Sequence, residues 1–190
     1  MTAGDGHQGQ GAGTPVPRSA SSVPAAGLPD YAELRCVSTF SFLVGASQPE
    51  ELVERAHKQG YRALALTDEC SVAGVVRAHV AAKKIGLKLL IGSQFSVAVP
   101  EPSCDDAPGP FSLGVLACNL NGYGNLCEFI TKLRRASEKG TYHLDLGDIA
   151  SDELADCVVV ASPVRGSTDA QLVGLARWLL THFTGRCWLG

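Results

Sequence analysis

The strongest constraint on how this chain can fold is an alternation of short apolar runs with helix-periodic segments between residues 31 and 91. Tyr31 to Ser38 alternates apolar and polar side chains, as a half-buried strand does. Ser47-Gln48-Pro49-Glu50 then has the pattern of a capping box, and Pro is tolerated in a first turn because its missing N–H has no intrahelical partner there. Leu52, Val53 and Ala56 follow on one face and Gly60 suits a left-handed cap, which predicts a helix over 49–59. Residues 62–66 read as a buried strand, with Thr67 to Ser71 as the turn at its carboxyl end. Ser71 is placed to cap a second helix that carries Val72, Val75, Val76 and Val80 on its apolar face and runs up to Gly86. Residues 88–91 read as a third strand. Strand, helix, strand, helix, strand with short links is the signature of right-handed crossovers, so an α/β fold with a parallel sheet is predicted.

The remainder is less regular. Residues 1–30 are dominated by Gly, Ala, Pro and Ser with no aromatic side chain, too little apolar surface to offset the entropy of ordering, and are expected to be a disordered tail. A Pro- and Asp-bearing stretch over 98–110 interrupts the alternation, and 113–118 reads as a strand. Leu126, Phe129, Ile130 and Leu133 make one helix face; Leu172, Ala176, Leu179, Leu180 and Phe183 make another; 158–161 reads as a strand between them. Residues 185–190 resemble a turn feeding a strand that stops before it can pair. Residues 31–190 are therefore expected to be one truncated domain, with the strand at 158–161 left on an open edge.

Composition narrows the function classes. A net charge of −3 and a pI near 5.9 leave no basic footprint for a main nucleic-acid grip. Seven cysteines without a C-x-x-C pair fit neither a disulfide framework nor a structural zinc site, and reduced thiols are expected. No apolar run reaches the roughly 18–20 residues that span a bilayer and no export signal opens the chain, so a cytoplasmic location and no membrane partner are expected.

Sites in parallel α/β folds lie at the carboxyl ends of the strands. Three segments fall there: Glu33 to Ser38 with the loop to Gly45, Thr67-Asp68-Glu69, and Gly92-Ser93-Gln94-Phe95. The runs Leu34 to Ser47, Ala65 to Val76 and Gly86 to Ser93, with Tyr123-Gly124-Asn125-Leu126 beyond them, resemble the polymerase-and-histidinol-phosphatase (PHP) domain. The likeness is to the N-terminal region of the bacterial C-family DNA polymerase III alpha subunits and, within them, the error-prone DNA polymerase branch. It covers roughly residues 31–190.

The resemblance implies a distorted (β/α)7 barrel, incomplete here at its carboxyl end, in which His, Asp and Glu at the strand ends hold divalent ions. This chain departs from that ligand set. The first H-x-H falls on Arg35 and Val37, the histidine upstream on Glu33, and the acidic residue of the following loop on Val44. The histidine of T-D-H falls on Glu69 and the glutamate of G-x-E on Gln94, so of these positions only Asp68 is kept. Arg35 brings a permanent positive charge to a ligand position, and an ion pair of Arg35 with Asp68 or Glu69 is expected in place of a polynuclear site. Glu33, Asp68 and Glu69 remain weak candidates for one ion.

His79, placed on the apolar face of its helix, is expected to be a packed or partly exposed histidine rather than a ligand, and His57 and His182 to lie on amphipathic helices. His7 falls in the tail. Lys132, Arg134, Arg135 and Lys139 form a basic run that is either a solvated helix end or an approach to a phosphate backbone. No Walker loop or G-x-S-x-G occurs, and the G-x-G-x-x-G at Gly4 to Gly9 lies in the Gly-rich tail with no strand pattern before it.

The resemblance implies a parent DNA-directed polymerase of damage-induced translesion synthesis and repair, whose magnesium-binding palm carboxylates lie in downstream domains. No cofactor and no catalytic residue are expected in this segment, which reads as a scaffold packing on those domains. DNA and replication or repair proteins would be met through regions not contained in it. The alternative is a metal-dependent phosphoesterase or proofreading exonuclease at the barrel mouth.

Overall fold

A computed structural model of the chain describes residues 30–99, 107–150 and 152–190. The expected tail at 1–29 lies outside the described residues. In chain order the elements are β1 (Ala32–Cys36), α1 (Pro49–Lys58), β2 (Ala63–Glu69), α2 (Val75–Ile85), β3 (Lys88–Val97), β4 (Phe111–Ala117), α3 (Leu120–Ala136), β5 (Cys157–Pro163), α4 (Asp169–His182) and β6 (Cys187–Leu189).

The first five elements form as predicted, with shifted ends. The α1 cap is Gln48, whose N–H donates to Glu51 Oε2 at 2.8 Å, one residue later than Ser47 and Glu50 would have it. Those two are engaged elsewhere: the Ser47 carbonyl accepts from Thr39 N–H at 2.9 Å, and Glu50 pairs with Arg77 of α2. Gly60 and Gly86 take the left-handed backbone that ends α1 and α2, both at φ 76°.

Helix α2 starts at Val75 rather than beside Ser71, whose hydroxyl instead accepts from Ala73 N–H at 3.1 Å. Gly74 precedes it because a Cβ there would stand 3.0 Å from Pro49 Cγ, 3.1 Å from Asp68 Oδ2 and 3.1 Å from Phe40 Cδ2. That late start turns the helix: Val75, Ala78 and Ala82 are buried, while Val76, His79 and Val80 face solvent, against the expected apolar face. In α4 the buried positions are Gly174, Leu175 and Leu179, followed by Phe183, and Leu180 is exposed, again a rotation of the predicted stripe.

The six strands form one sheet in sequence order. β1, β2 and β3 pair in parallel, as do β5 and β6, but β4 is antiparallel to both its neighbours, which corrects the all-parallel expectation. Among the described residues no helix lies between β3 and β4, and β4 doubles back along β3. The terminal strand also departs from expectation: Cys187, Trp188 and Leu189 pair with Val159, Val160 and Ala161, so β5 is interior and β6 takes the edge.

Helices cover one face of the sheet. α1 and α2 bury Val53, Ala56, Ala78 and Ala82 against Leu64 and Leu66. A larger core joins Phe95, Leu113, Val115 and Val159 to Leu126 and Phe129 of α3 and Leu175 of α4. The opposite face is a hollow of about 690 Å³ lined by Leu34, Leu90, Leu116, Val160 and Trp188. The sheet is a curled half-barrel, open between β1 and β6 among the described residues. Among those residues no helix is long and apolar enough to cross a membrane.

Candidate functional site

Asp68, the one retained ligand position, is 1% exposed and turned inward at the end of β2. Its carboxylate receives three hydrogen bonds from the loop after β1: Ser38 N–H to Oδ1 at 2.7 Å, Ser38 hydroxyl to Oδ2 at 2.8 Å, and Ser41 hydroxyl to Oδ1 at 2.7 Å. The Ser41 oxygen also accepts from Glu69 N–H at 2.9 Å, and the Ser93 hydroxyl donates to the Asp68 carbonyl at 2.7 Å. A buried carboxylate costs several kcal/mol unless its lone pairs are met, and here donors of the protein's own loop meet them.

Beside this node runs a chain of side chains across the strand ends. Arg35 Nε donates to Gln94 Oε1 at 3.0 Å, and Gln94 Nε2 donates to Glu69 Oε2 at 2.9 Å. The expected ion pair of Arg35 with Asp68 or Glu69 is therefore absent: the Gln94 amide stands between guanidinium and carboxylate and satisfies both. Glu69 Oε1 accepts from Ser96 N–H at 3.1 Å, from the Ser96 hydroxyl at 3.0 Å, and from the Tyr142 hydroxyl.

Burial, and then the Glu69 carboxylate, raise the Tyr142 phenol well above its usual value of 10.0. The folded protein keeps this proton beyond the pH at which the unfolded chain releases it. The contribution of Tyr142 is therefore complete below pH 10 and is lost as the pH rises further. Denaturant unfolding from pH 8 to 11 should show the stability advantage of wild type over Tyr142→Phe shrinking above pH 10. The thiols that titrate in the same range cancel between the two proteins, and an advantage constant to pH 11 would contradict the assignment.

Arg134 closes the site from a direction that a parallel sheet would not provide. Because β4 runs backwards, α3 starts beside the β5 entry, where Asn125 Nδ2 donates to the Ala155 carbonyl at 2.8 Å, and ends at the mouth. There the Arg134 guanidinium lies 5.6 Å from the Tyr142 ring centre and donates to the carbonyls of Cys70 at 3.2 Å and Thr141 at 3.2 Å. It clasps a turn whose Cys70 has φ 45°. Arg134 belonged to the basic run in the sequence, but nothing in that run marks it as part of the site.

The other expected positions fall outside the network or at its rim. Glu33 accepts from the Tyr31 hydroxyl and from Arg35 N–H, both at 2.9 Å. Val37 is half-buried and Val44 exposed, and neither offers a donor atom to an ion. Lys132 pairs with Glu153 at 2.5 Å; Arg135 and Lys139 are solvent-facing; His57 is exposed on α1, and His182 stacks on Trp178 within α4. Burial pushes the Cys36, Cys70 and Cys157 thiols up to about 11, which leaves them protonated and poorly nucleophilic at neutral pH. Among the described residues no three His, Cys, Asp or Glu side chains gather as ion ligands. The donor set does not fit the polynuclear metal centre that the family resemblance implies, because one carboxylate is consumed by hydroxyls and the other by an amide, a phenol and Ser96.

A curled α/β sheet with its polar cluster at the carboxyl ends of the parallel strands defines a barrel-type domain whose mouth is tied by hydrogen bonds. The chain belongs to the PHP domain family, whose model matches residues 33–170. A protein of Dechloromonas aromatica named Error-prone DNA polymerase is 49% identical over 166 residues, and one of the same name from Ralstonia nicotianae is 51% identical over 170. These alignments take in 85% and 84% of this chain and 15% of each relative, so the chain spans about 15% of the length of the curated relatives it matches. A solved structure from Bifidobacterium adolescentis, assigned as a metal-dependent phosphoesterase, superposes with a TM-score of 0.58 at 17% identity over 84% of this chain and 76% of that one. At that identity the likeness supports the fold alone.

Proposed function

We propose that this chain is the N-terminal PHP domain of an error-prone DNA polymerase and serves there as a metal-free scaffold. The observation that carries the reading is the state of Asp68: the retained ligand is buried and accepts three hydrogen bonds from Ser38 and Ser41, so the loop that an ion would organise is organised by the protein itself. Arg35, Gln94, Glu69 and Tyr142 extend the same hydrogen bonding across the strand ends, and Arg134 fastens α3 to it. These residues hold a surface in shape; none is poised to activate water or a leaving group.

In this reading nucleotide transfer, translesion synthesis, the magnesium ions and the DNA contacts belong to downstream domains of the longer polypeptide, in the cytoplasm. Relatives of about half identity that bear the polymerase name support the assignment. The metal-dependent phosphoesterase or exonuclease alternative finds no support in the donor set.

Elemental analysis tests the reading. The purified chain, dialysed after exposure to zinc and manganese, should retain less than one ion per chain and should not hydrolyse p-nitrophenyl phosphate. Two or more retained ions, with hydrolysis abolished by Asp68→Ala, would overturn it.

A further inference from the structure

The loop that Asp68 secures ends in an apolar tip. Phe42, Leu43 and Val44 are 84%, 93% and 68% exposed. Single apolar residues are ordinary on a surface, but three large ones in succession make a contiguous exposed apolar patch of the kind that partners cover.

The tip is held in one shape. Val44 and Gly45 N–H both donate to the Ser41 carbonyl, at 3.0 and 2.9 Å, and Ser41 N–H donates to the Ser38 carbonyl at 2.9 Å. Gly45 passes so close to the Ser38 carbonyl that any side chain there would overlap it. Leu43 is fixed in the left-handed region at φ 63°, which L side chains seldom adopt. A surface already in its bound shape loses little conformational freedom on docking.

Charge selects the kind of partner. No charged side chain occurs between Arg35 and Glu50. The tip therefore lacks the lysines and arginines that a phosphate backbone or an anionic lipid surface requires. An uncharged apolar socket in a protein is the complement. The matched region is about 15% of the relatives' length, so the remainder of such a polypeptide is a large partner held nearby by the chain itself.

We propose that Phe42, Leu43 and Val44 form a rigid knob that seats in an uncharged socket on the polymerase portion of the same polypeptide, an inference that rests on the polymerase reading given above. The carboxylate at the old ligand position then has a mechanical use: it sets the direction in which the knob points.

The test uses the full-length Ralstonia nicotianae relative with its 170 matched residues exchanged for this chain and the photo-crosslinker 4-benzoylphenylalanine introduced at Phe42. Irradiation should give an intramolecular cross-link to an uncharged segment outside the exchanged region, and Leu43→Asp should lower its yield about tenfold. A cross-link to added primed DNA or to a second copy would overturn the proposal. So would a yield no higher than from the crosslinker at solvent-facing Val80. Primer extension separates the two levels: activity in the parent but not in the exchanged protein would overturn the polymerase reading, whereas full activity without the cross-link would overturn the knob alone.

Discussion

Replacing Asp68 by alanine should lower the melting temperature by roughly 6–12 °C, the equivalent of about 3 kcal/mol in a domain of this size. The carboxylate holds the Ser38 N–H and the Ser38 and Ser41 hydroxyls together at 1% exposure, and without it those donors stay buried with no acceptor. Because the partners are protein groups, neither EDTA nor added manganese should change the size of the fall. A variant melting within about 2 °C of wild type, or a fall that appears only in the presence of metal, would show that the node is not what holds the loop.

A loss of about 3–5 kcal/mol is expected for Phe95→Ala. Phe95 is fully buried in β3, with Phe129 edge-on at 5.2 Å and Tyr142 at 6.3 Å between ring centres. Truncation opens a cavity between the sheet and α3 and removes the wall against which Tyr142 reaches Glu69. Phe42→Ala is the matched control, since an 84% exposed ring contributes almost nothing to the core. Denaturant midpoints for the two variants should differ widely, and similar midpoints would place the centre of the core elsewhere.

The parts of the fold legible in the sequence are those governed by local periodicity and capping. The β1 to β3 unit is announced by short apolar runs, a proline-bearing helix start and Gly60 and Gly86 at the helix ends, all of which act within a few residues. The direction of β4 is not local. It depends on how the chain returns from β3, and the Pro-rich sequence of that link gives no period from which to read it. The faces of α2 and α4 differ from their expected stripes for a related reason: a start displaced by Gly74, or a stripe of leucines with two solutions, rotates a helix without altering its pattern.

The site divides in the same way. Asp68 stands out because a family motif points to it, whereas Ser38 and Ser41 are common hydroxyls in an aperiodic loop and become informative only once the fold sets them on one carboxylate. The charge of Arg35 sets it apart from a ligand set, yet its partner is the Gln94 amide. Charge alone predicts attraction to a carboxylate and takes no account of a neutral side chain of the right length in between. Arg134 could not be found without knowing that α3 runs towards the mouth.

The reversal of β4 also alters the field at the mouth. In a regular parallel barrel every helix begins near the carboxyl ends of the strands, so the positive poles of the helix dipoles ring the mouth and favour anionic ligands. Here α1, α2 and α4 keep that sense, but α3 presents its negative pole, and the Arg134 guanidinium lies against the neighbouring Cys70 and Thr141 carbonyls. One quadrant of the ring is thus inverted and then neutralised. A phosphorylated ligand centred on this mouth would meet an uneven field, and the domain has given up part of the electrostatic attraction that suits such barrels to phosphate chemistry.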